Sequence, residues 1–199
     1  FGNGNLSFNL CVFKDLITFE NAGFGNGNLS FFRANLTEVS FKSCHLNNYL
    51  DLRFEKCNLV DLSNTVVRDI VDFKKGFSNV EFEVLNIIGL RNLGKLILDW
   101  KLNEVEKLVE NQNATIVEKA EQYRILKENF RASGQYEDEA YVKFKRNELN
   151  HIHSERLKNG GLAMFWSYPA KWGEQLLFDK MGKYATRPFR VLLSMFIIY

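Results

Sequence analysis

The chain has 199 residues, a formal net charge of +2 and 46% hydrophobic residues, which is enough apolar material for one or two folded domains and excludes a disordered chain. Residues 1–90 carry 8 Lys/Arg against 10 Asp/Glu and the remainder 18 against 14, so neither part has the basic stripe of a nucleic-acid binder. Three cysteines, Cys11, Cys44 and Cys57, stand singly, with no CxxC pair and no histidine at zinc-ligand spacing. They read as reduced, buried core residues of a cytosolic protein. The chain starts at Phe1 without Met and ends in a charge-free run at 191–199, as expected of a piece of a longer protein, and no signal peptide is legible.

The first eight residues, FGNGNLSF, recur unchanged at 24–31, an offset of 23. At that spacing Phe8, Phe31, Phe54 and Phe77 form one column, and Phe13, Leu36, Leu59 and Phe82 a second. Leu16, Val39, Leu62 and Leu85 form a third, and the smaller residues Cys11, Ala34, Cys57 and Val80 a fourth. Four columns in step predict a solenoid, its coils stacked about 4.8 Å apart and its columns turned into interior ladders. The glycines of the two GNG segments lack the GxxxxGK[ST] pattern and a following helix, so they read as corner turns and not as a phosphate loop.

Within a coil the chain also steps by five. Leu36, Phe41 and Leu46 are large and apolar, and each is preceded two residues earlier by Ala34, Val39 or Cys44. The runs ANLTE, VSFKS, CHLNN and CNLVD between residues 34 and 61 resemble the pentapeptide-repeat family. That resemblance implies a right-handed quadrilateral β-helix with large and small residues pointing inward, three sides of five residues and a longer one from Leu46 to Phe54. Phe19, one residue out of phase with Phe41, and Asn64 and Asp69, polar where the pattern wants apolar, depart from it. A leucine-rich repeat is the alternative, since Leu52-x-Phe54-x-x-Cys57-x-Leu59 has its spacing. The five-residue stepping through Phe41 and Leu46 favours the pentapeptide coil.

Beyond Leu85 the pattern changes to apolar residues three and four apart, predicting helices near 94–111 and within 115–158. Asn113 or Thr115 caps one whose apolar face is Ile116, Ala120, Tyr123, Leu126 and Phe130. Ser133–Gly134 stops it. A second helix from about Tyr136 carries a Tyr136, Ala140 and Phe144 stripe and completes an antiparallel hairpin similar to a tetratricopeptide unit, read as a cap on the open end of the solenoid. His151 and His153, two apart on a helix, point about 200° apart and cannot chelate one ion. With no metal set, no cofactor loop and no nucleophile–base pair, neither an enzyme nor a cofactor is expected.

The end of the chain reads differently again. Gly160–Gly161 breaks the helix, and Trp166, Tyr168, Trp172, Leu176, Leu177 and Phe178 form an aromatic amphipathic segment interrupted by Pro169. Lys180, Lys183, Arg187 and Arg190 then precede the apolar run, the pattern of a bilayer entry with its positive side in the cytosol. Nine apolar residues are under half of the roughly 20 a span requires. The expected organisation is therefore a β-solenoid over 1–88, a helical region over 89–158 and a membrane-proximal segment over 159–199, α+β overall.

The body, the helical run YRILKENFRASGQYEDEAYVKFKRNEL and the segment with Gly182, Tyr184, Arg187, Pro188, Arg190, Leu192 and Leu193 together resemble bacterial pentapeptide-repeat membrane proteins with a two-transmembrane, potassium-channel-type pore. Ala185 stands where that family usually has glycine, and no filter like TVGYG is present. The resemblance implies a non-enzymatic cytoplasmic scaffold or sensor domain at the bacterial inner membrane. It further implies membrane lipid as a partner, a homo-oligomer in the full-length protein, and a protein or small-molecule ligand on the solenoid. The alternative is a soluble interaction scaffold of the DNA-mimicking, topoisomerase-binding type, which needs a strongly acidic surface that residues 1–90 do not carry.

Overall fold

The computed structural model describes residues 3–74 and 81–158, and side chains as far as Ser154. Residues 1–150 form one compact unit and 151–199 another. Among the described residues twelve strands come first, then three helices, so the expected order of a β-solenoid followed by helices is what the chain builds.

Each coil runs through three parallel sheets. The first stacks β1 (Leu6–Ser7), β3 (Leu29–Ser30), β6 (Leu50–Asp51), β9 (Ile70–Asp72) and β12 (Lys95–Ile97). The second stacks β2 (Val12–Thr18), β4 (Asn35–Ser40), β7 (Lys56–Asp61) and β10 (Glu81–Asn86), and the third β5 (His45–Leu46), β8 (Val66–Val67) and β11 (Arg91–Asn92). Leu6 pairs with Leu29, Leu29 with Leu50, Leu50 with Val71 and Val71 with Leu96, steps of 23, 21, 21 and 25 residues.

The unequal steps correct the expected ladders. Phe8 does stack on Phe31, with centroids 5.1 Å apart. Backbone bonds then carry the row through Leu52, Phe73 and Leu98, and not through Phe54, because coil 2 to coil 3 is two residues short of 23. Phe54 is buried all the same, its ring edge-on to Phe82 at 5.1 Å. The second ladder is Phe13, Leu36, Cys57 and Phe82, because Cys57 takes the place expected of Leu59. Leu59 lies instead in the row of exposed Leu16 and half-buried Glu38 and Val84, and is itself half-buried. The third ladder is Ile17, Val39, Val60 and Leu85, where Leu16 and Leu62 were expected. Phe77 and Val80 fall outside the described residues.

Two local devices account for the steps. β2 has a register shift between Phe13 and Leu16, a bulge that takes up one residue. It brings the apparently out-of-phase Phe19 onto Phe41, stacked at 5.2 Å, and that row continues as Leu62 and Ile87. The longer step into coil 4 is an insertion, with eight residues between Asp72 and Glu81 against four between Asp51 and Lys56.

Corners explain why small polar residues recur. After Phe8, Phe19, Phe31, Phe41, Leu62 and Ile87 the chain turns through a left-handed residue, and the next amide closes back on the carbonyl three residues earlier. Asn21, Asn64 and Gly89 suit that position, while Leu10, Arg33 and Ser43 sit there at a cost of about 1–2 kcal/mol each. The polar residue just before the corner caps it: the amides of Glu20, Lys42, Ser63 and Ile88 donate to the side chains of Thr18, Ser40, Asp61 and Asn86, which share one register row. Gly27 answers to a different demand, since a Cβ there would collide with the Gly4 carbonyl of the coil beneath. The GNG segments are thus stacked backbone, held by Asn3 and Asn5 side chains that accept from the amides of Asn26 and Asn28.

Coiling continues past the boundary expected at 88. Leu90, Leu96 and Leu98 are buried, β11 and β12 lie in the region expected to be helical from 89, and β12 occupies part of the helix expected near 94–111. The first helix, α1 (Val105–Glu110), is therefore short. α2 (Ile116–Ala132) starts on a capping box between Thr115 and Glu118, and it ends at Gly134, where the Gln135 amide reaches the Phe130 carbonyl. In α3 (Tyr136–Lys158) the docked residues are not the expected Tyr136, Ala140 and Phe144. Tyr136 is exposed, whereas Val142 is buried and Tyr141 stacks on Trp100 at 6.4 Å.

The thiols give a direct check on this register. Cys57 is buried and burial pushes its thiol up to about 12; Cys44 is buried and shifted upward for the same reason, while Cys11 is half-buried, against expectation, because it lies in the outermost coil. All three are free. A thiol reagent is expected to label Cys11 first and Cys57 last in the native protein, read by peptide mass spectrometry. A folded value above the unfolded one also means that stability held below about pH 9 is lost as pH rises toward about 12. Cys57→Ala should flatten that alkaline decline.

Candidate functional site

A solenoid's last coil leaves a row of backbone donors and acceptors with no coil above them. Here amide side chains from the helices fill that row. Asn111 donates to the Glu83 carbonyl at 3.1 Å, Gln112 donates to the Leu85 carbonyl, and the Ile87 amide donates to Gln122 Oε1 at 3.1 Å. On the neighbouring sheet Asn129 accepts from the Leu96 amide and donates to the Leu96 carbonyl, both at 2.9 Å, so that one side chain reproduces a strand's pairing. Gln135 continues the row by donating to the Leu98 carbonyl at 3.1 Å. Gln112 and Gln122 bond reciprocally at 2.8 and 2.9 Å, which fixes both. Gln122 and Asn129 are buried, where their alternative would be unmet polar groups.

The helices are locked to one another as well. Glu110 on α1 takes Tyr123 Oη at 2.9 Å and Lys119 at 3.2 Å, and Glu106 pairs with Lys145 of α3 at 2.7 Å. Burial, then the Glu110 charge, raises the Tyr123 phenol well above its ordinary value, so it stays a donor.

The densest charge cluster lies between coils 3 and 4. Arg53 pairs with Asp51 through Nε at 2.9 Å and Nη2 at 2.6 Å, and its Nε lies 3.7 Å from Asp72. Tyr49 donates to Asp72 at 2.8 Å, and the Arg53 guanidinium lies 5.0 Å from the Phe32 ring centroid. Both carboxylates also cap their corners, on the amides of Arg53 and Lys74. Every strong acceptor is thereby engaged by the fold itself. Beside the cluster, a cavity of about 230 Å³ is floored by Phe54, Phe73 and Phe82 and rimmed by Arg53, Lys74 and Glu83. Aromatic and charged groups line this concave site together.

No described residues form a group able to hold a metal ion. His151 is exposed and His153 half-buried on α3. Of the residues predicted to matter, the structure gathers Phe8, Phe31, Phe13 and Leu36 into interior rows and packs Phe54 against Phe82. Trp166, Trp172, Lys183, Tyr184, Arg187, Pro188 and Arg190 lie outside the described residues. No helix among those described is long and apolar enough to cross a membrane. Sequence reasoning missed the amide row, although Gln122 and Asn129 standing seven residues apart inside the Ala120, Tyr123, Leu126 and Phe130 stripe was a legible signal.

These features define a β-solenoid repeat protein whose C-terminal end is closed by helices bearing amide side chains. Comparison with family models, curated proteins and solved structures returns no match.

Proposed function

We propose that this chain is the cytoplasmic scaffold and sensor domain of a channel-like membrane protein, without catalytic activity of its own. The observation that carries the reading is mechanical continuity. The last coil is bonded to α2 by buried amides, α3 is keyed to Trp100 and Glu106, and the polypeptide then runs into the aromatic and basic segment that precedes the apolar stretch at 191–199. A rigid coil stack so joined transmits a displacement, rather than absorbing it, to whatever its end is attached to. The aromatic-floored cavity offers a place for a small-molecule ligand or a partner side chain, and membrane lipid is the partner of the terminal segment. Assembly as a homo-oligomer belongs to the same reading.

Flotation tests it. The full chain is expected to rise with vesicles containing phosphatidylglycerol, and replacement of Trp166 and Trp172 by Ala with Arg187 and Arg190 by Ser should leave it at the bottom of the gradient. A full chain that stays at the bottom with every vesicle composition removes the membrane from this reading and leaves an interaction scaffold.

A further inference from the structure

The floor of the cavity between coils 3 and 4 is pre-formed. Its half-buried ring, Phe82, is held from two sides: Phe73 lies parallel to it, with centroids 5.9 Å apart and planes 10° apart, and Phe54 meets it edge-on at 5.1 Å. Phe54 and Phe73 are themselves buried, so Phe82 is backed by packed core. The volume, about 230 Å³, lies under the roughly 300 Å³ at which drug-sized ligands begin, too small for a nucleotide and sufficient for one ring with short substituents.

The polar rim divides into groups that the fold uses and groups that it does not. Arg53 is held by Asp51 and Asp72, Glu81 by Lys56 at 2.5 Å, and Glu104 by Lys107. Asn103 uses both ends of its amide, donating to the Phe73 carbonyl and accepting from the Asp99 amide, each at 2.8 Å. Lys74 and Glu83 remain. Both line the cavity and are exposed, and among the described residues neither side chain has a hydrogen-bond or ion-pair partner. Lys56, which also feels the Glu83 charge, is already taken by Glu81. The backbones of the two residues are fixed, because the Lys74 amide donates to Asp72 and the Glu83 carbonyl accepts from Asn111. One free cation and one free anion beside a pre-set ring make a zwitterion the electrostatic match: a carboxylate alone leaves Glu83 opposing it, and an ammonium group alone meets Lys74.

We propose that this cavity binds a free amino acid with an aromatic side chain, its ring laid against Phe82, its carboxylate on Lys74 and its ammonium group on Glu83. Ring-on-ring contact adds to what burial alone contributes, so an aromatic ligand is preferred over an aliphatic one. The inference rests on the sensor part of the proposed function and names its signal. The cavity walls come from coil 3, coil 4 and the turn at Asn103–Glu104 that leads into α1, so an occupant bridges the coil stack and the start of the helical end.

Equilibrium dialysis of the full chain tests it, with L-phenylalanine as the probe. A Kd of about 1 mM or tighter is expected, an ordinary efficiency for so small a ligand. Phenethylamine, which lacks the carboxylate, and phenylpropionate, which lacks the ammonium group, should each bind about fivefold more weakly, the upper range for one exposed ion pair. Lys74→Gln should then weaken L-phenylalanine by a similar factor without weakening phenethylamine, and Glu83→Gln should weaken it while sparing phenylpropionate. Both side chains are exposed, so neither variant threatens the fold. The proposal is overturned if no saturable retention appears up to about 10 mM L-phenylalanine. It is equally overturned by L-leucine binding as tightly, which denies the ring, or by variants that shift all three ligands alike or none, which denies the paired charges. Vesicle flotation keeps the two readings apart. A chain that floats but retains no L-phenylalanine loses this proposal alone, and one that retains it but never floats loses only the membrane.

Discussion

Phe31→Ala is expected to lower the unfolding free energy by about 3–5 kcal/mol, in the range of large-to-small core replacements of aromatic residues. Phe31 is fully buried, stacks on Phe8 at 5.1 Å, and meets Phe19 and Phe41 edge-on, each at 6.1 Å. Its neighbours belong to three stacked ladder positions already fixed by backbone bonds, so they cannot close the space it leaves. Leu59→Ser is the informative partner. Under a constant 23-residue period Leu59 is an interior rung, and its loss would be severe. In the observed register it is half-buried beside Glu38 and Val84, and the change should cost about 1 kcal/mol, well short of a core truncation. Urea unfolding of the two variants, followed by circular dichroism, separates the registers. A loss of several kcal/mol from Leu59→Ser would show that the unequal coil lengths are wrong.

That contrast marks how far the sequence could be read. The identity of 1–8 with 24–31 revealed the coil and its mean length, and at Gly27 the Gly4 carbonyl of the coil beneath leaves no room for a side chain. The individual lengths were hidden because hydrophobic columns tolerate a slip. Cys57 and Leu59 are two apart and both apolar, and strict strand alternation would place them on one face, so either satisfies a column search; in the observed register Cys57 and Val60 are the buried pair and Leu59 is half-buried. The helical part was legible in its caps at Thr115 and Gly134, where specific side chains do specific work. It was illegible from 91 to 98, where Leu93, Leu96 and Ile97 suit either period and the pairing partners lie a whole coil away. For α3 the stripe of 138, 141, 142, 145 and 149 mixes Asp and Lys with apolar residues, so a search by hydrophobicity settled on Tyr136, Ala140 and Phe144 instead. The amide row was missed for a related reason, since a polar residue on an apolar stripe is usually discounted, and here it is what the stripe exists to deliver.

Asn129→Ala tests that last point and should also cost about 3–5 kcal/mol. The side chain is buried, and its removal strands three polar groups at once: the Leu96 amide, the Leu96 carbonyl and the Asn92 side-chain amide, which donates to Asn129 Oδ1 at 3.1 Å. Each buried group left without a partner costs about 1–3 kcal/mol, far more than a typical hydrogen bond contributes when made. Asn129→Leu should be nearly as damaging, because it fills the space without restoring a donor or an acceptor. Asn129→Asp keeps an acceptor for Leu96 N but brings a buried carboxylate against the Leu96 carbonyl, so it should not rescue. Gln122→Ala, which frees the Ile87 amide and unseats Gln112, should cost less, and it should add independently because Gln122 and Asn129 serve different sheets. Hydrogen exchange supplies the localised readout. In Asn129→Ala the Leu96 amide should lose protection while the Phe41 and Leu62 amides, deep in the stack, keep theirs relative to global unfolding. If all four variants stay within about 0.5 kcal/mol of the parent, in the range of surface changes, the helices merely lie beside the last coil and the mechanical coupling behind the proposed function has no physical basis.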